Sequence, residues 1–376
     1  MKPLAVVAGV ASALVLAVGS ASAALHVPPA FEITRIASVD GARELAAASN
    51  GDLFVGTNSG DVYIVPHADG NAEAPRVFVR LADSPAAGVT IARNALYIGT
   101  QFGVWRLPYH AGDVHAASRP EKISSVRTSG LSRDHVTTTL AFSNGKLYAS
   151  VGSSCNVCDP ESDSTRATIQ EMNPDGSKMS ARAVRIRNAI ALAVNPATGS
   201  LWAGVAGQDE LQAGHPYEIF DPVTLHNGVA DYGWPYCYEN RRSTSATHLC
   251  ANVVVPRVVL PAYATPIGAV FYPPNQKGAH VFPKRYRGGA FITLHGSWHQ
   301  PPVPPRVVFV AMRGDTPDKP IDWNDPNTQW SEFVGGFQTA SGERSGRPTG
   351  IAVGPQGDLF VADDAANAIY RVRPLP

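Results

Sequence analysis

The chain has 376 residues, with 31 basic and 31 acidic side chains and a formal net charge of +0. This balance argues against nucleic acid or an anionic membrane surface as a partner. Hydrophobic residues make up 44% of the chain, which is enough for a packed core and excludes global disorder. The 34 Gly and 31 Pro favour a turn-dense, all-β fold over a helical one.

The first segment, residues 1–23, is predicted to be a secretory signal peptide. Lys2 is followed by an apolar run to Val18 and by the small residues Ala21-Ser22-Ala23, as at a signal cleavage site. The run is too short and wrongly flanked for a membrane span, and no later segment is apolar enough for one. We therefore expect a periplasmic or secreted protein beginning near Ala24, with a retained N-terminal anchor as the alternative.

Residues 24–376 carry six copies of one pattern: an apolar strand, a polar turn, and a second alternating strand that ends in Gly or Asp. The copies begin at Glu44, Gly88, Leu140, Ala191, Gly268 and Gly350. They recur roughly 40–55 residues apart, with a longer gap between the fourth and fifth copies. Such a period predicts a six-bladed β-propeller in one domain, because four-stranded blades bury their faces by radial packing. A long β-sandwich or two barrels, the alternatives, lack this self-similarity.

Two local features fit the propeller. The stretch Leu140–Val151 contains Asn144-Gly145 between two apolar alternating runs, which is the strongest short-range signal for a β-hairpin. Strand patterns also cover Phe31–Val39 and Ala368–Arg373. We expect these terminal strands to share the last blade, because that pairing removes an exposed edge.

Four cysteines form two sequence-local pairs. Export permits disulfides, and we predict Cys155–Cys158 and Cys237–Cys250, although three pairings are possible. A c-type haem site is excluded because Asp159, and not His, follows the CxxC. A zinc site is disfavoured because no second ligand cluster lies at the required spacing. A redox-active dithiol would need a thioredoxin-like βαβ unit, which the sequence lacks. A structural loop staple is the favoured interpretation.

Polar residues interrupt the pattern just before two inner strands. Asp134-His135 precedes the third copy, where His could transfer a proton and the carboxylate could orient it, unless the loop is merely solvated. Arg187-Asn188 precedes the fourth copy, where Arg could clamp an anion or form a structural ion pair.

Two further clusters follow second strands. The turn Gly207-Gln208-Asp209-Glu210 offers hard oxygen ligands of the kind that calcium prefers, or it is a solvated acidic turn. In His295-Gly296-Ser297-Trp298-His299, Trp298 could be a stacking platform or a packing residue. Arg347, with Arg344 upstream, takes the same relative position in the last copy as Arg187 in the fourth. Two such arginines would face one end of a channel and suit a ligand with several carboxylates.

In this order, the motifs DHVTTTLAFSNGKLYASVGSSCNVC, RNAIALAVNP, GQDEL, DYGWPYC, HGSW and GRPTGIAVGPQGDLFVADD resemble the glucose/sorbosone dehydrogenase family, and its sorbosone dehydrogenase branch in particular. Members of this family are exported six-bladed propellers that use pyrroloquinoline quinone (PQQ) and calcium. The resemblance covers essentially the whole mature chain and is densest over residues 134–237.

The resemblance implies a role for each matching residue. His135 would be the general base and Asp134 its orienting partner. The cofactor would be held by Arg187, Asn188, Arg347 and Trp298, and the carbonyls of Gly207 and Gln208 would bind Ca²⁺. The implied reaction oxidises an aldose or a hydrated sugar aldehyde. Because no haem motif is present, the electrons would pass to an external acceptor.

The chain also departs from that pattern. The segment SPAAGVTI lacks a substrate-contacting Gln, LHGSWHQ lacks a cofactor-binding Lys, and Thr349 stands where a second Arg would. Two alternatives therefore stay open: a calcium-dependent sugar lactonase, and a non-catalytic propeller that binds a ligand and has lost the cofactor.

Overall fold

The computed structural model describes residues 24–129, 134–161, 163–209, 211, 214–299 and 302–375. The predicted signal peptide, residues 1–23, lies outside the described residues. So do Ser132 and Arg133 beside the predicted base, and Glu210 in the predicted calcium turn. Among the described residues, no helix is long and apolar enough to cross a membrane.

The strands of the described residues form six blades and two small hairpins, and the predicted six-bladed β-propeller is confirmed. Blade one contains β2 (Ala42–Ala47), β3 (Leu53–Thr57), β4 (Asp61–Val65) and β5 (Arg76–Arg80). Blade two contains β6 (Gly88–Ala92), β7 (Ala95–Gly99), β8 (Gly103–Pro108) and β9 (Glu121–Ser125). Blade three contains β10 (Leu140–Ser143), β11 (Lys146–Val151), β12 (Thr168–Met172), β13 (Ser180–Val184) and a short parallel strand, β17 (Ala230–Asp231).

The last three blades follow the same order. Blade four contains β14 (Ala191–Val194), β15 (Leu201–Val205), β16 (Glu218–Asp221) and β20 (Val258–Leu260). Blade five contains β21 (Pro266–Phe271), β22 (Ala290–Leu294), β23 (Arg306–Val310) and β26 (Trp330–Val334). Blade six contains β27 (Pro348–Val353), β28 (Leu359–Asp363), β29 (Ala368–Pro374) and β1 (Phe31–Ser38).

The N-terminal strand closes the ring. β1 pairs antiparallel with β29, with Phe31 opposite Pro374 and Ser38 opposite Ala368. The prediction that both termini share the last blade is therefore confirmed. This pairing covers what would otherwise be an open edge at the last blade.

The hairpin predicted at Leu140–Val151 is β10 and β11. Its turn residues Asn144 and Gly145 have φ values of 50° and 76°. Two successive positive φ values define the tight hairpin turn that Asn-Gly favours.

Insertions in two blades lengthen the repeat. Blade four carries residues 222–257 between β16 and β20, including the 3₁₀ turn Val223–Leu225 and a hairpin of β18 (Cys237–Tyr238) and β19 (Arg242–Ser243). Blade five carries the 3₁₀ turn Lys284–Tyr286 and a hairpin of β24 (Met312–Arg313) and β25 (Thr316–Pro317). The interval between the fifth and sixth copies is therefore long as well.

Neighbouring blades pack through apolar and aromatic side chains. The rings of Trp202 and Phe220 in blade four lie 4.8 Å apart, and Phe220 lies 6.0 Å from Phe271 in blade five. The inner strands, which are the first strands of the six blades, surround a central channel that contains a cavity of about 270 Å³. Radial packing of this kind leaves the loops at each end of the channel free to build a site.

Candidate active site at one end of the channel

One rim of the propeller collects the polar residues singled out in the sequence. In each blade the start of the inner strand pairs with the end of the second strand, as Leu140 pairs with Ala149 in blade three. Residues before inner strands and residues after second strands therefore meet at the same rim. The structure brings these residues to that rim: His135, Ser153, Arg187, Gly207, His295, Arg347 and Asp364.

The imidazole of His135 is held through Nδ1. This nitrogen lies 3.0 Å from the backbone carbonyl of Ser153 and 3.0 Å from its hydroxyl. Because a carbonyl only accepts hydrogen bonds, Nδ1 carries the proton and Nε2 keeps a lone pair. Burial, with repulsion from Arg187 second, lowers the pKa of His135 to about 4. The ring is therefore neutral at physiological pH and can accept a proton at Nε2.

Ser153 thus provides the orienting contact at Nδ1, and no motif in the sequence pointed to it. Asp134, predicted to orient His135, is exposed, and its backbone carbonyl accepts a hydrogen bond from Arg166 at 3.2 Å. The carboxylate of Asp134 raises the pKa of His135 less than burial and Arg187 lower it. Its role in the reaction stays a prediction.

Two buried arginines hold the His135 loop by its backbone. Arg127 donates to the carbonyls of His135 at 2.9 Å and of Thr137 at 2.7 Å. Arg166 donates to the carbonyl of Ser153 at 2.8 Å. Arg127 is 1% exposed, and this burial lowers its pKa to about 9. These contacts fix the carbonyls on both sides of the imidazole.

His135 and Asn188 lie on either side of Gly152. A Cβ on Gly152 would come within 2.5 Å of the Asn188 side-chain oxygen and 2.5 Å of the His135 Cβ. Asn188 is buried, and its side-chain amide forms no hydrogen bond with the described residues. Because buried amides normally find partners, this amide is available to a ligand beside His135.

The guanidinium of Arg187 hydrogen-bonds to neighbouring groups of the protein. Its Nε donates to Asn156 O at 3.2 Å, and its Nη2 donates to Asn156 Oδ1 at 2.9 Å and to Asp209 Oδ2 at 3.5 Å. Its Nη1 donates to the carbonyls of Ala206 at 3.2 Å and Gly207 at 2.6 Å. These contacts use all five N–H bonds of the guanidinium. These contacts show Arg187 paired with the protein around the turn, and its role in holding the cofactor stays a prediction.

Both predicted disulfides are present, and Cys155–Cys158 stabilises this arrangement. The loop that it closes contains Asn156, which accepts hydrogen bonds from Arg187. The side-chain oxygen of Asn156 also accepts a hydrogen bond from the Asp209 backbone N–H at 2.8 Å. The predicted Cys155–Cys158 pairing is therefore confirmed, and its role as a structural staple stays a prediction. The loop ties Arg187 to the turn predicted to bind calcium.

A buried carboxyl group, that of Glu218, hydrogen-bonds to the turn that was predicted to bind calcium. Glu218 Oε2 accepts a hydrogen bond from the Gly207 N–H at 2.7 Å. Burial raises the pKa of Glu218 to about 8, so it is largely protonated at neutral pH. The carboxylate of Asp209 lies between the guanidinium of Arg187 and the imidazole of His299, at 3.5 Å from each.

A cationic wall forms the opposite side of the rim. Arg347 donates from Nε to His295 O at 3.1 Å and from Nη2 to Gly296 O at 3.2 Å. Burial, with Asp364, Arg344 and Arg43 nearby, leaves the pKa of Arg347 lowered. The hydrogen-bond partners of Arg347 are neutral carbonyls, and the single carboxylate of Asp364 faces both Arg347 and Arg43, so an excess of positive charge remains that favours an anionic ligand.

Arg43 joins the wall to the His135 loop. It pairs through Nη1 with Asp364 at 3.2 Å and donates through Nη2 to Thr137 Oγ1 at 3.4 Å. Its Nε is buried with no hydrogen-bond partner among the described residues. Asp364 also accepts a hydrogen bond from His295, at 3.0 Å. Arg43 lies at the start of an inner strand, where the repeat pattern offered no reason to expect a site residue.

Position 349 explains one departure from the family pattern. Thr349 is fully buried, and its hydroxyl donates to Ala42 O at 2.9 Å between blades six and one. A long cation would not fit there. Arg43 and Arg344 supply positive charge around Arg347 instead.

Trp298 lies at the outer edge of the rim and is 71% exposed. Its ring stacks on His299 at a centroid distance of 4.2 Å, and His299 stacks on Tyr263 at 3.7 Å. This arrangement can present a flat apolar face to a planar ring or to a sugar. Through this stack it is connected to the rim, because His299 Nε2 lies 3.5 Å from Asp209 Oδ1.

The residues present fit the acidic groups of a quinone cofactor such as PQQ. Arg43 Nε is buried without a hydrogen-bond partner among the described residues, and neither Arg347 Nη1 nor the side-chain amide of Asn188 has a hydrogen bond to them. The calcium half of the predicted site does not fit this arrangement. The Gly207 carbonyl is already held by a guanidinium, and among the described residues no group of three or more His, Cys, Asp or Glu side chains could hold a metal ion.

Comparison with known proteins agrees with the resemblance predicted from the sequence. Residues 214–374 match the family described as TrAA12-like. A protein of Borreliella burgdorferi, described only as uncharacterized, is 24% identical over 377 residues, which cover 96% of this chain and 94% of that protein.

Solved structures share the fold. The holo form of the PQQ domain of pyranose dehydrogenase from Coprinopsis cinerea has a TM-score of 0.80 at 17% identity, over 94% of this chain and 98% of that one. The calcium structure of the family AA12 protein from Trichoderma reesei has a TM-score of 0.79 at 20% identity, over 96% and 100%. The PQQ-bound aldose sugar dehydrogenase from Streptomyces coelicolor has a TM-score of 0.61 at 14% identity, over 93% and 99%. At these identities the likeness shows the propeller architecture.

Proposed function

We propose that this chain is an exported oxidoreductase that oxidises the C1 hydroxyl of an aldose, or a hydrated sugar aldehyde, with PQQ as its bound hydride acceptor. The observation that carries the proposal is the neutral imidazole of His135, locked through Nδ1 and placed beside Asn188 on a rim whose other side is cationic. The similarity to structures named as pyranose and aldose sugar dehydrogenases supports the substrate class.

His135 would act as the general base. The proton of the sugar hydroxyl moves to Nε2 as the hydrogen on the same carbon leaves with its electron pair, so a C=O bond forms and the sugar loses two electrons and two hydrogens. When bound, PQQ supplies the acceptor for that hydride. Ser153 keeps Nδ1 protonated, so the base does not turn away or switch tautomer.

The cationic wall would hold the cofactor. Arg347 and Arg43 would hold its acidic groups with charge-assisted hydrogen bonds, and the side-chain amide of Asn188, which lies beside His135, would offer a further hydrogen bond. Trp298 would cover the outer face of the cofactor or the sugar. Orientation by these groups places the reacting carbon within reach of both base and acceptor.

Calcium dependence is part of the prediction, but no step is assigned to the metal because Arg187 holds the Gly207 carbonyl. Export is supported by the two disulfides, which persist in oxidising compartments. An external acceptor would re-oxidise the cofactor.

The test is to titrate the purified, chelator-stripped mature protein with PQQ, with and without Ca²⁺, following absorbance and dye reduction across a panel of aldoses. Saturable binding with sugar-dependent dye reduction is the expected result. If no binding occurs at micromolar PQQ under either condition, the proposal fails, and a lactonase or a binding propeller becomes the better hypothesis.

A further inference from the structure

The short loop that the Cys155–Cys158 disulfide closes is in contact with two different parts of the rim. The backbone carbonyl of Cys155 accepts a hydrogen bond from the Ser153 hydroxyl at 2.8 Å, and the same hydroxyl lies 3.0 Å from Nδ1 of His135. The next residue, Asn156, accepts hydrogen bonds from Arg187 through both its carbonyl and its side chain. One loop of four residues therefore connects the proposed base to the arginine of the fourth blade.

Asn156 makes further contacts that depend on its exact position. Its side-chain oxygen accepts a hydrogen bond from the Asp209 N–H at 2.8 Å, and its side-chain nitrogen donates to the Asp209 carbonyl at 3.1 Å. Its own carbonyl accepts a hydrogen bond from the indole N–H of Trp234 at 3.2 Å. A displacement of Asn156 would therefore release Arg187 and the turn at 206–209 together.

The two disulfides differ in how easily a reductant can reach and break them. Cys155 and Cys158 are half-buried and Val157 between them is 53% exposed, whereas Cys237 and Cys250 are each only 6% exposed. The sequence separations of the two bridges are 3 and 13. Because the chain entropy that favours a disulfide grows with the loop it closes, the shorter bridge should be about five- to tenfold easier to reduce.

Breaking the shorter bridge must also move the loop. Two sulfur atoms that are no longer bonded separate to van der Waals contact, and their Cβ atoms move apart with them. Only Asn156 and Val157 lie between the two cysteines, so they take up most of this movement. Reduction is therefore expected to break the contacts of Asn156 with Arg187 and Asp209.

We propose that Cys155–Cys158 is a thiol-exchange site, at which a protein dithiol reduces the bridge and thereby releases Arg187 and the turn at 206–209 from Asn156. A thiolate of the dithiol attacks one sulfur and breaks the bridge, and the second thiol of the dithiol then displaces the mixed disulfide. The dithiol ends as a disulfide, and Cys155 and Cys158 gain two electrons and two protons. This chain is the disulfide that is reduced, so it needs no thioredoxin-like unit of its own.

The consequence for activity rests on the function proposed above, whereas the exchange and the release of the turn do not. Ser153 and Asn156 position the groups around His135 and Arg187, so the reduced protein should be the less active form. Activity would then respond to the thiol–disulfide balance of the compartment.

The first experiment equilibrates the full mature chain with graded ratios of reduced to oxidised dithiothreitol. Free thiols are blocked with iodoacetamide and located by peptide mass spectrometry. We expect Cys155 and Cys158 to be half-labelled at a ratio at least about fivefold less reducing than Cys237 and Cys250, which are the matched internal control. If both bridges are reduced at the same ratio, the proposal is overturned.

Backbone hydrogen exchange then tests the release of the turn without any cofactor. The Asp209 N–H should exchange at least about tenfold faster once Cys155–Cys158 is reduced, and should return to its original rate after reoxidation. Asn156→Ala, which keeps the bridge, should show the fast exchange in both states. The amides of β7 in blade two serve as the reference. Unchanged exchange at Asp209 in the selectively reduced protein contradicts the proposal.

Activity measurements separate this site from the proposed function. After removal of dithiothreitol, the reduced protein loaded with PQQ should lose at least about tenfold in sugar-dependent dye reduction and regain it on reoxidation. The double variant Cys155→Ser, Cys158→Ser should match the reduced form and ignore dithiothreitol; if it does not fold, the unmodified protein gives the same comparison. Undiminished dye reduction overturns the link to activity. If no form reduces the dye, the proposed function fails, while the thiol labelling and the Asp209 exchange still decide the thiol-exchange site.

Discussion

Nδ1 of His135 lies 3.0 Å from the carbonyl oxygen of Ser153, and this contact determines which ring nitrogen can act as a base. The carbonyl fixes the tautomer, and the Ser153 carbonyl is in turn held by Arg166 at 2.8 Å. The base is therefore positioned by backbone groups from a neighbouring loop. Such an arrangement keeps the imidazole neutral and oriented before substrate arrives.

The first prediction concerns His135→Ala. We expect sugar-dependent dye reduction to fall by about 100- to 10,000-fold, the usual contribution of a general base, with PQQ affinity nearly unchanged. Steady-state dye reduction and an absorbance titration measure the two effects. The control is His110→Ala, because that side chain is 73% exposed and pairs only with Asp113 among the described residues. A His135→Ala protein with undiminished turnover would remove the base from the mechanism.

The second prediction is the pH dependence of kcat/KM. Burial lowers the pKa of His135 to about 4, and the neutral ring is the active form. Activity should therefore be level above about pH 5 and should fall as pH drops through 4. Because the pKa of His295 is also lowered to about 4, the profile of His295→Gln should keep this acid limb if His135 causes it. An acid limb near pH 6.5 would show that His135 is more solvated than the structure has it.

The third prediction is that Gly152→Ala disables the site more than it destabilises the fold. The φ of Gly152 lies outside the left-handed region, so alanine is tolerated by the backbone. Its Cβ would nevertheless come within 2.5 Å of both the Asn188 side-chain oxygen and the His135 Cβ. We expect at least a tenfold loss of kcat/KM, because small misplacements of reacting groups are costly.

Thermal unfolding and kinetics on the same samples separate these effects. Gly70→Ala is the matched control, since the nearest atom to its added Cβ is 3.8 Å away. If Gly152→Ala retains full activity, the reaction does not depend on the relative positions of Asn188 and His135.

Sequence reasoning identified the parts of this molecule that have a period or a local turn signature. Six copies of one strand–turn–strand pattern predicted six blades, and Asn144-Gly145 predicted a hairpin turn that the positive φ values confirm. The equivalent places of Arg187 and Arg347 in the repeat predicted that both lie at one rim, because inner strands of successive blades run the same way.

What sequence reasoning missed depends on contacts with backbone carbonyls, which leave no pattern in the side chains. Arg127 and Arg166 are buried and bind carbonyls around His135, yet in the sequence they resemble ordinary loop arginines. Arg187 was predicted equally as an anion clamp or a structural group. The five contacts to the loop at 156 and the turn at 206–209 could not be read from the sequence, and the role of Arg187 toward the cofactor stays a prediction.

The fourth prediction tests the cationic wall. Arg347→Gln should weaken PQQ binding by about 10- to 100-fold, since a charge-assisted hydrogen bond contributes about 1.5–3 kcal/mol. Arg43→Gln should weaken it to a similar degree, because Arg43 has an unused buried Nε. Both losses should shrink as the salt concentration is raised, since the interaction is between charges.

Fluorescence or absorbance titrations at two salt concentrations measure these affinities. Arg80→Gln serves as the control, because Arg80 is exposed and paired with Asp61 in blade one. If both wall variants bind PQQ as well as the unmodified protein does, the acidic groups of the ligand are held elsewhere.

The fifth prediction concerns stability, and it comes from two buried glutamates. Glu44 is 7% exposed beside the channel, with Oε1 unpaired among the described residues, and burial raises its pKa to about 8. Glu218 has a pKa raised to about 8 for the same reason. In the unfolded chain both ionise near their ordinary pKa, so above it the folded state binds more protons than the unfolded state. The free energy of unfolding must then fall as pH rises toward 8.

Between pH 6.5 and 8 the effect of the two glutamates is the larger one. Below pH 6.5 the buried His135 and His295, whose pKa values are lowered to about 4, act with the opposite sign, because there the unfolded state binds the extra protons. Urea unfolding at pH 6.5 and at pH 8 should show a loss of about 1–2 kcal/mol for each glutamate. Glu44→Gln should remove about half of the total slope and raise stability at pH 8, whereas Glu73→Gln, at an exposed ion pair with Arg76, should leave it unchanged. If Glu44→Gln unfolds with the same pH slope as the unmodified protein, the channel carboxyl is already ionised and solvated at neutral pH.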